Sequence, residues 1–342
     1  MSETTRITLE RVHELAQAAC NAAGCSGEQA RAVADTVTAA ERDGCPAHGL
    51  LRIPFFVRAL RDSGVYGDAV PTVDRLAPSI VRVDGGLGFA PLALEMGCSV
   101  LVETAREQGI AALAVNNVFH ISALWPEAER LAEADLVGFA FTTAIDYVAP
   151  AGGDRPLFGT NPMAFAWPRN GKPPVVFDQA SSAAARGEIL LHQRASRALP
   201  EGWAVGPDAQ PTTDPDRALA GAQLPFGGYK GASIALMIEL LAGALIGDLL
   251  SYEAGEYDSA GVGAPRGGEF LIAIDPSRCS PDGDRSAPLA HAERLFERIL
   301  TQDGTRLPGQ RRFEVRELTR SAGVDIDNEL LDQIRGVIGG TP

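Results

Sequence analysis

Lysine is nearly missing from this chain: its 342 residues include only Lys172 and Lys230 against 28 arginines, so arginine carries almost all the positive charge. Positive charge itself is short, with 30 basic against 44 acidic residues and a formal net charge of −14. That balance excludes the general electrostatic footprint of a nucleic-acid binder and repels an anionic membrane surface. The longest apolar stretch, Ala232 to Gly247, is too short to span a bilayer and contains Glu239, and the opening MSETTRITLE has no apolar signal core. A cytoplasmic location is expected. The five cysteines form no CxxC pair and no His/Cys spacing of a zinc site, so they read as reduced thiols and no metal is expected.

Nucleotide fingerprints are missing too. G-x-G-x-x-G fails at Gly86-Leu87-Gly88, where Pro91 takes the third glycine position, and at Gly261-Val262-Gly263, where Arg266 does. Phe226 to Gly231 lacks the leading glycine of a P-loop, yet its glycine turn feeds an apolar helix and ends on Lys230, an arrangement that suits an anion. Any dinucleotide must bind without a Rossmann turn.

What is present is ordinary globular chain, 45% hydrophobic and 22% charged, enough for about two domains. Apolar spacing predicts helices over Thr8–Ala23, from a Ser26/Gln29 capping box to Arg42, and over Arg52–Leu60 with Pro54 in the first turn. Strands are predicted at Ile80–Asp84, Ile110–Val115, Leu136–Thr142, Ala164–Trp167, Val175–Asp178 and Phe270–Asp275. Helices are predicted at Leu92–Gln108, Ala123–Ala134, Ser181–Leu199, Ser233–Leu249, Ala287–Leu300 and Asp327–Ile338. The irregular alternation predicts a mixed α/β sheet, with the helical termini sharing one domain around an inserted strand-rich one.

Candidate chemistry gathers at a few places. His48 precedes Arg52 by four residues in a turn, offering a proton donor beside a carboxylate clamp; the simpler reading is a loop histidine beside a surface arginine. His120 follows a strand and precedes Ser122, a natural N-cap for the next helix. Asp178 ends another strand, where an N-cap role would suffice. Arg306, Arg311, Arg312, Arg316 and Arg320 form a basic island, either a phosphate site or a solvated helix face.

Together these stretches resemble the malate/L-lactate dehydrogenase superfamily that lacks a Rossmann fold, and within it the Δ1-piperideine-2-carboxylate/Δ1-pyrroline-2-carboxylate reductases. The resemblance rests on Arg42-Asp43-Gly44 with His48-Gly49 and Arg52, Ala123-Leu124-Trp125-Pro126, Pro156 to Pro162, Phe177-Asp178, Leu199 to Gly202, Gln210 to Pro215, Leu224 to Gly228 with Lys230-Gly231, and Pro308-Gly309, in one order. It implies a homodimer with a predominantly antiparallel NADPH-binding domain (116–287) inserted into a helical domain from both termini (1–115 and 288–342). It implies reduction of cyclic imine acids by NADPH, with NADH as a second coenzyme; a 2-hydroxy acid dehydrogenase and an inactive dinucleotide binder are the alternatives.

Carried over by residue, the resemblance makes His48 the proton donor, Glu188 its acidic partner, Arg52 the clamp on the substrate carboxylate and Thr160 a substrate contact. The coenzyme would lie along His120, Ile121, Ser122, Ala123 and Leu124, along Asp178, Gln179 and Ala180, along Gly228, Tyr229 and Lys230, and along Pro308, Gly309, Arg311 and Arg312. Ala47 stands where the family usually has serine, and Glu188 where the closest reductases have aspartate. A family proton relay through serine, histidine and aspartate would therefore lack its hydroxyl here.

Overall fold

The computed structural model describes residues 3–120, 122–258, 263 and 265–340. Its two ends are stitched together: strand β1 (Thr4–Ile7) pairs antiparallel with β12 (Val324–Asp327). Helix α1 (Leu9–Ala22) begins at Thr8, whose hydroxyl accepts from Arg11 N, and α2 (Gly27–Arg42) begins at Ser26, which accepts from Gln29 N at 3.3 Å. The expected capping box is only half formed, because the Gln29 amide turns away to donate to the Ala69 carbonyl at 2.9 Å. Two 3-10 turns, Pro46–His48 and Leu50–Arg52, lead into α3 (Ile53–Asp62), with Pro54 in its first turn as expected.

The central sheet has seven strands in the order β2-β3-β4-β11-β5-β6-β7. They are β2 (Thr72–Ala77), β3 (Ile80–Phe89), β4 (Ile110–Phe119), β5 (Val137–Thr142), β6 (Met163–Trp167), β7 (Val175–Gln179) and β11 (Arg266–Ile274). Only β3 and β4 run parallel, joined by the crossover helix α4 (Ala90–Gln108); the other neighbours are antiparallel, so the mixed sheet expected from the pattern is what forms. The boundary expected at 115/116 falls inside β4, and the sheet takes strands from both sides of it.

Helix α5 (Trp125–Glu133) lies on the sheet, its Trp125, Ala128 and Leu131 packed in one core with Leu113, Val115 and Leu271. It starts two residues later than predicted: Asp178 Oδ2, from β7, accepts from Leu124 N at 2.8 Å and Trp125 N at 3.0 Å, while Ser122 Oγ turns to His120 Nε2 at 3.1 Å. Helix α6 (Arg186–Arg194) is also shorter than predicted. Ser181 is not helical because its N–H donates to the Thr160 carbonyl at 2.7 Å and its hydroxyl to the Asn161 carbonyl at 2.7 Å. Beyond it a small sheet in the order β10-β8-β9, made of β8 (Ala204–Val205), β9 (Pro211–Thr212) and β10 (Ala222–Gln223), flanks α7 (Pro215–Ala220).

Helix α8 (Tyr229–Ile238) widens into a π-helical turn at Glu239–Ala244, where the buried Glu239 accepts from Asn161 Nδ2 at 2.7 Å and Ser251 N at 2.9 Å. Helix α9 (Ser251–Tyr257) precedes β11, and α10 (Ser286–Leu300), α11 (Gln310–Ala322) and α12 (Asn328–Ile338) follow it. No described helix is long and apolar enough to cross a membrane.

Candidate active site

The two 3-10 turns place His48 and Arg52. Beneath them the buried Glu41 carboxylate of α2 accepts from Leu50 N at 2.8 Å, and any side chain on Gly49 would collide with it, so glycine is required there. Burial pushes the Glu41 carboxyl up to about 7. Arg52 Nε donates to the Ala47 carbonyl at 2.7 Å, and its guanidinium sits 5.3 Å from the Phe55 ring centroid. Among the described residues no carboxylate pairs with Arg52. The half-buried His48 has no partner on Nδ1 among the described residues, and burial, then the charges of Arg52 and His120, hold it down at about 4. The imidazole is therefore neutral at pH 7.

Tyr147 lies close to Arg52 and Arg186, and its phenol is pushed up by burial against their opposing charges. The Arg186 guanidinium stacks 4.2 Å from the Tyr147 centroid, is half-buried, and also pairs with no described carboxylate. Sequence reasoning missed it, for an arginine at a helix start carries no signal of its own. Thr160 follows the Phe158 carbonyl that accepts from Tyr147 N at 2.9 Å, and its own carbonyl is held by Ser181 N. Its successor Asn161 takes a left-handed φ of 35°, pinned by the buried Glu239 and Ser251.

A cleft of about 540 Å³ runs between Asp43–Cys45, Val176–Asp178 and the turn Arg306–Arg312. Pro308 O accepts from Val176 N at 3.2 Å, and Gly309, at φ 86°, passes so close to the Val176 carbonyl that a Cβ would meet it at 2.9 Å. Arg306 and Arg311 are exposed, whereas Arg312 tucks inward, donating to the Val176 carbonyl at 3.0 Å with its guanidinium 4.9 Å from the Trp125 centroid. Arg316 and Arg320 leave the expected basic island. Arg316 is buried against Asp43 and Glu129, and Arg320 pairs with Glu317, because α11 turns them away from the cleft.

Gly228 and Tyr229 line a second cleft of about 340 Å³, with the exposed Lys230 beside it. At the end of β7, Asp178 and the exposed Gln179 lead through Ala180 to Ser181, whose carbonyl accepts from Phe226 N at 3.1 Å. Ala123 and the buried Leu124 stand above Asp178. Ile121 lies outside the described residues.

Glu188 does not join His48. It is exposed in the first turn of α6, its carboxylate makes no hydrogen bond or ion pair among the described residues, and it is absent from the charges that His48 feels. The acids nearest the buried His120 are instead Glu269, at 3.5 Å from its Nε2, and Glu127. Burial pushes both carboxyls up and holds His120 at about 4. Glu269 was visible in the sequence as the one charge between Gly268 and Ile274 of an apolar strand, and it went unread.

Comparison with known proteins converges on one family. The sequence pattern of the malate/L-lactate dehydrogenases matches residues 7–335. The Δ1-pyrroline-2-carboxylate/Δ1-piperideine-2-carboxylate reductase of Pseudomonas aeruginosa is 50% identical over 95% of this chain and 97% of its own. The (2R)-3-sulfolactate dehydrogenase (NADP(+)) of Chromohalobacter salexigens is 40% identical over 96% of this chain and 97% of its own. Among solved structures, the Δ1-piperideine-2-carboxylate reductase of Pseudomonas syringae pvar. tomato superimposes with a TM-score of 0.91 at 37% identity, covering 98% of this chain and 100% of that one. Sequence and fold agree over nearly the whole length, and the chain belongs to the malate/L-lactate dehydrogenase family.

Proposed function

We propose that this chain is an NADPH-dependent reductase of cyclic imine acids, converting Δ1-piperideine-2-carboxylate to L-pipecolate and Δ1-pyrroline-2-carboxylate to L-proline. The observation that carries the reading is the pairing of Arg52, a half-buried guanidinium lacking a carboxylate among the described residues, with a neutral imidazole, His48, whose Nδ1 has no partner among them. Such a pair matches a substrate that carries a carboxylate one bond from a ring C=N.

Arg52 would hold the carboxylate bidentately and Thr160 would border it. Once that anion offsets the Arg52 charge, one cause of the low His48 proton affinity is gone, so substrate arrival itself readies His48 to hold a proton at the ring nitrogen. The residues fit a phosphorylated dinucleotide: Arg306 and Arg311 are exposed along the first cleft, and the buried Arg312 Nε lacks a partner among the described residues. Reduced nicotinamide, when bound, supplies the hydride. Asp178 holds the start of α5, Gly228 and Tyr229 border the coenzyme along the second cleft with Lys230 beside them, and Arg311 meets the 2′-phosphate.

The coenzyme-binding unit centres on 116–287, with β2, β3 and the start of β4 completing its sheet, and both termini make the other unit. The chain acts as a homodimer; exposed Leu236, Met237, Leu240 and Leu245 on α8 and its π-helical extension offer apolar surface for a second copy.

A second reading, a 2-hydroxy acid dehydrogenase, is favoured by one feature. Arg186 is a further unpaired guanidinium beside Tyr147, suited to a second acid group such as a carboxylate or sulfonate. A panel of imine acids and 2-oxo acids with NADPH and NADH, followed by loss of reduced-nicotinamide absorbance, separates the two. Turnover of 2-oxo acids alone would overturn the imine reading, and no turnover of either class would leave a binding protein.

A further inference from the structure

Behind the clefts, three side chains from three elements meet in the interior. His120 follows β4, Glu127 lies in the first turn of α5, and Glu269 sits on β11. One ligating atom from each lies within 4.8 Å of the other two, and all three residues are buried. Their oxygens are orphaned: among the described residues, both carboxylate oxygens of Glu269 and Oε2 of Glu127 find no hydrogen-bond partner. An unpaired buried acceptor is costly, and more so when it is charged.

Spacing decides what would satisfy them. His120 Nε2 and Glu269 Oε2 stand 3.5 Å apart. That is too long for a charge-assisted hydrogen bond of about 2.7–2.9 Å. That pair suits two ligands of one ion, because metal–ligand bonds of about 2.0–2.2 Å set neighbouring donor atoms about 3–3.5 Å apart, and an ion would draw the three donor atoms, now within 4.8 Å of one another, closer together. Two carboxylates and a neutral imidazole carry the charge that a divalent cation cancels. Ser122 Oγ, 3.1 Å from the same nitrogen, borders the remaining position. Cys98 and Arg130 are close enough to feel these acids, but Cys98 is a buried thiol whose pKa is pushed up to about 12, and Arg130 forms no ion pair with them among the described residues.

We propose that His120, Glu127 and Glu269 bind one divalent first-row cation per chain, of the zinc, manganese or cobalt class. The ion would tie the ends of β4, β11 and α5 together and fix the ring of His120. The inference rests on this donor set alone and is independent of the substrate assigned above.

The test uses the full chain, treated with a chelator and then titrated with Zn²⁺, Mn²⁺ or Co²⁺. We expect about one equivalent retained after gel filtration, a higher Tm, and a visible Co²⁺ absorption band. Glu269→Gln and Glu127→Gln should each weaken binding about 10–100-fold or more, the loss typical of even an outer-shell partner. Cys98→Ser should keep the band, and circular dichroism checks that each variant is folded. Failure of all three cations to bind the folded wild type up to millimolar concentration overturns the proposal, as does undiminished binding by both glutamine variants. Infrared bands of protonated carboxyls that vanish in Glu269→Gln yet persist when cation is added would show that protons hold the cluster, and overturn it equally.

Discussion

Arg316 grips Asp43 with two hydrogen bonds, from Nε at 2.9 Å and Nη2 at 2.6 Å, across 273 residues of sequence. The same carboxylate accepts from Trp125 Nε1 at 3.1 Å and from Arg42 Nε at 2.7 Å, and Glu129 shares the Arg316 fork. One buried acid therefore locks α2, α5 and α11 around the edge of the first cleft, which Asp43 itself lines. Asp43→Ala should cost about 3–5 kcal/mol, because removing one member of a buried pair strands the others. Chemical denaturation measures it, and a loss below about 1 kcal/mol would show that the lock contributes little.

Arg311 and Arg312 are neighbours with different surroundings, and they should separate in coenzyme binding. Exposed Arg311 is free to read a 2′-phosphate, so Arg311→Ala should weaken NADPH about 10- to 150-fold, the worth of one charged hydrogen bond, and spare NADH. Arg312 supports Val176 and Trp125, so Arg312→Ala should weaken both coenzymes and lower Tm. Fluorescence titration with each coenzyme tests this. Equal losses for both coenzymes in Arg311→Ala would remove it from the phosphate site.

Glu41 gives the fold a pH dependence. Its carboxyl titrates near 7 when folded and near 4.3 when unfolded, so the unfolded chain releases its proton first as pH rises. Stability from this group is complete below about pH 4.3 and declines up to about pH 7, by roughly 4 kcal/mol. Glu41→Gln keeps an acceptor for Leu50 N but cannot ionise. Its stability should match wild type at pH 4, exceed it at pH 8, and lose the slope between; an unchanged slope would place the proton elsewhere.

The legible parts of this molecule were local. The Ser26 cap, Pro54 in a first helical turn and the six longest-patterned strands depend on neighbours within a few residues, and they stand in the structure. Long-range partners were not legible. Ser122 reads as an N-cap until Asp178, 54 residues from Leu124, takes that role. Arg316 reads as part of a basic island because its acids lie 273 and 187 residues away. The four-residue strands β1 and β12 carry no pattern apart from each other. At the candidate site the spacing of His48 and Arg52 alone favours a loop histidine beside a surface arginine, and only the family resemblance gives them roles, whereas Glu41, Arg186 and the His120 acids join only through folding.

Arg52→Lys preserves charge and discards the planar fork. It should raise KM and lower kcat/KM for imine acids substantially, while an imine lacking the carboxylate should be a poor substrate for wild type and indifferent to the change. Steady-state kinetics on both substrates decides it. Unchanged kcat/KM in Arg52→Lys would mean that the carboxylate is held elsewhere, with Arg186 the next candidate.

His48→Ala should lower kcat about 10²–10⁴-fold with coenzyme affinity nearly intact, the range typical of lost general acid–base catalysis. Ala47→Ser restores the hydroxyl usual in the family, yet Ala47 is exposed and its carbonyl, not its side chain, engages the site through Arg52. Serine there should leave kcat and its pH optimum unchanged, since the new hydroxyl faces solvent. Glu188→Gln should be equally mild, because that carboxylate contributes no charge at His48. A higher kcat in Ala47→Ser, or a collapse in Glu188→Gln, would restore a relay through these positions and require a closed conformation that brings α6 to the 3-10 turns. Near-wild-type turnover in His48→Ala on every substrate would end the proton-handling role of His48.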